Sequence, residues 1–200
     1  MSSTTLRPFD PWRVPPVREE GREELLGGYY FDVDCVHMSS TETGAFSRKV
    51  LRVQRGDTVA VLAVDANGRV PLVEQYRVPT HRWTLELPAG HPKDDDETTA
   101  ATAIRKLREE AGLEAGDLRQ AMRFINTPSY SDHQTSIFVA TDLKAVPRQN
   151  EGPETERSSV RWYTLKEAHD LVLAGTIVDA KSIIAIQRGW EEWQTGSLLH

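Results

Sequence analysis

The chain is short of cysteine, of net positive charge and of long apolar runs. One cysteine, Cys35, among 200 residues leaves no internal disulfide, and such usage fits a reducing cytoplasm. Aspartate and glutamate total 30 against 24 lysines and arginines, a net charge of −6. No basic field therefore exists to attract a nucleic acid backbone, although a local basic pocket for a nucleotide is still compatible with that balance. No segment approaches the roughly eighteen apolar residues that span a bilayer. The opening stretch "MSSTTLRPFDPWRVPPVREE" lacks the continuous apolar core of a signal peptide. The expectation is a soluble cytoplasmic protein with no membrane and no nucleic-acid partner. Several catalytic signatures are missing as well. There is no GxGxxG or Walker A sequence, and no HExxH or paired CxxC, so dinucleotide fingerprints, P-loops and zinc sites lack support.

What is present is an ordinary globular composition, 38% hydrophobic and 27% charged, on a chain long enough to bury a sizeable core. The first 20 residues carry four of the eleven prolines and read as a flexible arm. "YYFDVDCVHMSS" and "KVLRVQR" follow as strand candidates, placing an N-terminal strand region at 21–56. From 57 onward "TVAVLAVD" reads as a buried strand opening a hairpin across "DANGR", with "VPLVEQYR" returning. "RWTLELPAG", "AMRFINTPSY", "TSIFVATDL" and "VRWYTL" are further strands, and "NEGPETERSS" is a polar loop. "KEAHDLVLAG" and "DAKSIIAIQRGWEEW" are C-terminal helices. A mixed sheet with helices on both faces is the economical α/β architecture for the domain at 57–200.

The remaining helix, about 98 to 111, contains "RKLREEAGL". Ala100, Ala103, Ile104, Leu107 and Ala111 fall at spacings of three and four, which predicts one core-facing stripe. Gly112 stands where a left-handed glycine ends a helix. Lys106, Glu109 and Glu110 share a neighbouring face, and taken alone such a face is a solvated set of weak ion pairs. Its surroundings argue otherwise. From Gly90 the chain reads G-x6-E-x7-R-K-L-x-E-E-x-G-L, ending at Leu113. This resembles the Nudix box, G-x5-E-x7-R-E-[apolar]-x-E-E-x-G-[apolar], with one extra loop residue and one substitution. "EQYR", "LELPAG", "TPSYSDH" and "AGTIVDAKSIIAI" are similar to the ADP-ribose pyrophosphatase branch of that family.

The resemblance implies a Nudix α/β/α sandwich with an N-terminal strand extension, forming a homodimer. It implies hydrolysis of a nucleoside diphosphate linked to a sugar, ADP-ribose first, to a nucleoside monophosphate and a sugar phosphate. It further implies Mg2+ on Glu109, Glu110 and the Ala89 carbonyl, with Arg77 and Glu86 at the nucleotide. Arg105 and Glu97 would brace the loop against the helix. Carboxylates at close helical spacing suit an oxygen-seeking ion that neutralises clustered phosphate.

Two departures break that pattern. Lys106 stands where the family has a metal-binding glutamate; in the loop "TPSYSDH", Ser129 stands where related pyrophosphatases carry a glycine and His133 where they carry another glutamate. A lysine for a glutamate changes local charge by two, which weakens a multi-metal cluster. Three explanations follow. Lys106 is an internal cation, so that fewer ions or none are needed, and His133 is the water-activating base. Alternatively the fold binds a nucleotide without hydrolysing it. As a third alternative, the pocket runs a different reaction on another substrate.

Other features read as structural. Ser131 and His133 are too close along a loop to face each other as a nucleophilic pair. Asp94 to Asp96 supply negative charge ahead of a helix N-terminus. Tyr29, Tyr30, Phe31 and Trp83 are core or dimer-interface aromatics before they are base-stacking ones. Trp190 and Trp193 are packing residues.

Overall fold

In a computed structural model, residues 9–148 and 158–198 are described. The polar stretch read as a loop at 150–159 falls almost wholly outside them. The chain divides into two compact units, one running to Gln54 with Ser129–Ser131 added, the other holding Arg55–Pro128 and Asp132–His200.

The first unit is an antiparallel sheet of β1 (Arg18–Leu26), β2 (Phe31–Ser40) and β3 (Gly44–Val53), in that order. The aromatic strand and its partner fall where the sequence suggests, but β1 does not. Its stretch "REEGREELL" shows no alternation and is almost wholly exposed. What recruits it is pairing with β2 and a charge cluster: Arg22 and Arg52 both reach the buried Asp34, at 3.0 and 2.9 Å. The predicted arm therefore ends at residue 17 in a strand, two bulges letting the strand follow its partner. Tyr29, Tyr30 and Phe31 are all exposed, so they are not core.

In the second unit β4 (Thr58–Ala63) lies at the centre of a mixed sheet. Its neighbours are β7 (Ala89–Gly90) and β9 (Gln134–Ala145), with β8 (Leu113–Ile125) at the edge. β4 runs parallel to β9 and antiparallel to β7. The expected hairpin of "TVAVLAVD" with "VPLVEQYR" is not formed. β5 (Arg69–Arg77) pairs instead with β6 (Arg82–Glu86) and β10 (Ser159–Thr164) in a separate three-stranded sheet. A strand apolar on both faces can take a partner on either side, and period alone does not say which.

β4 is buried along its whole length because it faces two cores. Val59, Val61 and Ala63 pack with Ala103 and Leu107 on one side. Ala60, Leu62 and Val64 pack on the other with Leu165, Ala185 and Ile186. The first side is covered by α1 (Thr99–Lys106), the second by α2 (Leu165–Leu173) and α3 (Ala180–Gln194). Strand alternation thus builds the α/β/α sandwich, each fully buried Val or Leu contributing about 1.5–3 kcal/mol. Trp190 and Trp193 pack against the second core as expected.

The stripe assigned to α1 needs correction. Ala103 and Leu107 are buried, but Ala100 and Ile104 are exposed, and Thr102 turns inward. The buried Thr102 hydroxyl is satisfied by donating to the Thr98 carbonyl at 3.0 Å. A threonine that bonds its own helix backbone can occupy the core face, which a search for apolar side chains overlooks.

Candidate active site

Thr98 caps α1, its hydroxyl accepting from the Ala101 N–H at 3.2 Å. Just before it, Asp94 accepts from the N–H groups of Asp96 and Glu97 at 3.1 and 3.0 Å, tightening the turn. After Lys106 the helix widens to a π turn over Leu107–Ala111 and stops at Gly112, whose φ is 65°. A side chain there would also meet the Val146 carbonyl at 3.0 Å. The wide turn carries Glu109 and Glu110, and such turns recur at functional sites.

Arg105 holds the loop to the helix. It makes a two-pronged pair with Glu97, both contacts at 2.7 Å, and donates to the His91 carbonyl at 2.9 Å. The Arg105 hydrogen bonds pull the Glu97 carboxyl down to about 2, against the smaller opposing effect of burial. Arg105 also reaches Glu109, at 3.1 Å.

Lys106, Glu109 and Glu110 converge. The Lys106 ammonium is 3.0 Å from Glu109 and 3.6 Å from Glu110, and the Lys93 ammonium lies 3.5 Å from Glu109. Glu110 accepts from the Ala89 N–H at 3.0 Å, tying the helix to β7. Burial pushes the Glu110 carboxyl up, and the charge on Lys106 opposes that. Gly90 makes room for the lysine: a Cβ there would sit 2.2 Å from Lys106 Cε.

Beside this cluster Glu86, only 3% exposed, is gripped by Arg77 at 2.7 and 2.6 Å and by Lys181 at 2.6 Å. Thr84 also donates to it, at 2.7 Å. Burial alone would raise the Glu86 carboxyl, yet Arg77 and Lys181 outweigh it and hold the group at about 2. Lys181 is steadied by Asp179, the α3 cap, at 2.8 Å. His133 Nε2 is 2.6 Å from the Thr58 hydroxyl, which also contacts His91 Nε2 at 3.2 Å. The two imidazole rings stack with centroids 5.6 Å apart. Burial lowers both histidines, His91 to about 4. His133 thus faces Thr58.

Lys181, Lys93, His91 and Thr58 were not singled out from sequence. His91 directly follows the box glycine, and Lys181 lies inside the "AGTIVDAKSIIAI" tail, so position alone could have flagged them. Lys93 and Thr58 carry no comparable signal.

Mg2+ wants a near-octahedral shell of oxygens. Among the described residues no group of three or more His, Cys, Asp or Glu side chains comes together to hold an ion. Glu109 is already shared by Arg105, Lys106 and Lys93. An ammonium 3.0 Å from that carboxylate occupies space and charge a divalent ion would need. The residues present do not fit a multi-ion cluster.

Comparison with known proteins agrees with the fold. The family model described as NUDIX domain matches residues 54–185. An ADP-ribose pyrophosphatase of Bacillus subtilis (strain 168) is 32% identical, the match covering 83% of this chain and 88% of that protein. One from Mycobacterium tuberculosis is 36% identical over 72% of this chain and 68% of its own length. A crystal structure of an ADP compounds hydrolase superposes with a TM-score of 0.74 at 23% identity, covering 92% of this chain and 96% of that one.

Proposed function

Because the chain belongs to the NUDIX family of pyrophosphohydrolases, we propose that it cleaves the diphosphate of a nucleoside diphosphate sugar, ADP-ribose being the first substrate to test. The observation that carries this reading is the convergence of Lys106, Arg77 and Lys181 around Glu110, Glu86 and the two histidines. Cations held in place by buried carboxylates suit a clustered phosphate charge.

In the reaction, a water oxygen bonds to one phosphorus while the bond from that phosphorus to the bridging oxygen breaks. The electron pair leaves on the second phosphate, giving a nucleoside monophosphate and a sugar phosphate. His133, neutral through burial, takes one proton of the water and passes it to solvent, with Thr58 and His91 orienting the ring. Arg77 contacts the substrate, and Glu86 acts through Arg77 and Lys181 by fixing them. Glu109 and Glu110 position Lys106. Family members generally use divalent ions such as Mg2+, but no step is assigned to one here, because the donor set does not fit a cluster.

We assign the N-terminal strand region to homodimerisation, supported by the exposed Tyr29, Tyr30 and Phe31. The lone cysteine supports a reducing, cytoplasmic site of action. Lys106 at a catalytic-glutamate position favours one competing reading, a nucleotide binder without turnover. Incubation with ADP-ribose and separation of products decides between them: AMP and ribose 5-phosphate are expected, and unchanged ADP-ribose beside clear binding refutes hydrolysis.

A further inference from the structure

Among the described ion pairs at this centre, cations and carboxylates are matched. The cations are Arg77, Lys93, Arg105, Lys106 and Lys181. Their carboxylate partners are Glu86, Glu97, Glu109, Glu110 and Asp179, equal in number. A glutamate at position 106 would leave the same set with two excess negative charges, the charge of one divalent ion. Lys106 thus cancels by covalent means what a metal would otherwise cancel. The seat is built for it: Gly90 leaves open the space its Cε fills, and Glu109 lies at 3.0 Å. The ammonium, with three N–H donors, lies 3.0 Å from Glu109 and 3.6 Å from Glu110. The side chain is 21% exposed, which leaves donors for a ligand oxygen.

We propose that the Lys106 ammonium is the resident cation of this centre, standing in for a divalent ion and binding a phosphate oxygen of the substrate diphosphate directly, so that ADP-ribose is held without metal. The inference rests on the nucleoside diphosphate sugar reading above, and binding separates the two.

The test uses the full chain stripped with EDTA. ADP-ribose titrated into the wild type in excess EDTA is expected to bind within about threefold of its affinity in Mg2+. Mn2+ alone, titrated into the same protein, is expected to bind at least about tenfold more weakly than to Lys106→Glu, in which the carboxylate cluster is restored. Lys106→Met should lose about tenfold or more in ADP-ribose affinity in EDTA, with its melting temperature and circular dichroism recording that it is folded. A wild type that binds ADP-ribose only with Mg2+ overturns the proposal, as does wild-type Mn2+ binding equal to that of Lys106→Glu. Should Lys106→Met not fold, the two wild-type titrations still decide. Metal-independent binding without AMP release in any buffer keeps the Lys106 cation and removes hydrolysis. AMP release together with strictly Mg2+-dependent binding does the reverse.

Discussion

Glu86→Gln is the sharpest probe of how the site is held together. The wild-type carboxyl titrates at about 2 instead of 4.5, so its ionised form is favoured by Arg77 and Lys181 in the folded state. At about 1.36 kcal/mol per pH unit, that difference is worth roughly 3 kcal/mol of stability. Because the folded pKa is depressed, the contribution is fully present above pH 4.5 and is lost as pH falls through about 2. About 1.4 kcal/mol remains at pH 3 by the same relation. An amide is nearly isosteric but uncharged, so at pH 7 the variant leaves two half-buried cations facing a neutral group. The expected loss is roughly 3 kcal/mol, or about 6–12 °C in melting temperature for a chain of this size. Urea denaturation of both proteins at pH 7, 5 and 3 measures it. The gap between them should be constant from 7 to 5 and shrink by about half at 3. A gap that is absent, or one that stays the same at all three pH values, refutes the claim that Glu86 is held ionised by its two partners.

Three further outcomes follow from local geometry. Gly112→Ala places a side chain at φ 65° and 3.0 Å from the Val146 carbonyl, so it should cost about 1–2 kcal/mol in denaturant unfolding; a stabilised variant contradicts the left-handed stop. Gly90→Ala sets a methyl where Lys106 Cε lies, and ADP-ribose affinity should drop about tenfold, read by calorimetry, as the ammonium is displaced. Thr58→Val removes the hydroxyl shared by His91 and His133. It should lower kcat about 10- to 100-fold with KM little changed, whereas a rise in KM alone would place these histidines in substrate binding.

Most of the site scaffold is legible in the sequence because it is local. Fixed spacings from Gly90 to Leu113 encode a loop, a helix and a glycine stop, and in the fold Glu97 pairs with Arg105 and Gly112 lies in the left-handed region. What is not legible depends on contacts far apart in the chain. "TVAVLAVD" cannot announce that its parallel neighbour lies more than seventy residues on, at Gln134–Ala145. β1 has no hydrophobic signature because Arg22 and Asp34 hold it, not apolar burial. Lys181 reads as an ordinary helix residue until the fold sets it 2.6 Å from Glu86, ninety-five positions earlier. Thr102 carries no apolar signal in the sequence period, yet a threonine satisfied by its own helix packs like an apolar residue.

The brace and the reactive cluster are separable, and this explains how position 106 can change charge without unmaking the helix. Glu97, Arg105 and the His91 carbonyl fix the loop to α1, while Glu110 and the Ala89 N–H fix the π turn to β7. None of these contacts uses the side chain of residue 106. Lys106 therefore adds charge to a frame already set by its neighbours, and Glu109 and Glu110 accept it in the direction their own charge dictates. A glutamate there would repel the same two carboxylates and need an outside cation to hold the cluster together. Under the proposal that Lys106 is the resident cation, dependence on added metal becomes a property of one side chain, and the frame around it stays the same in either case.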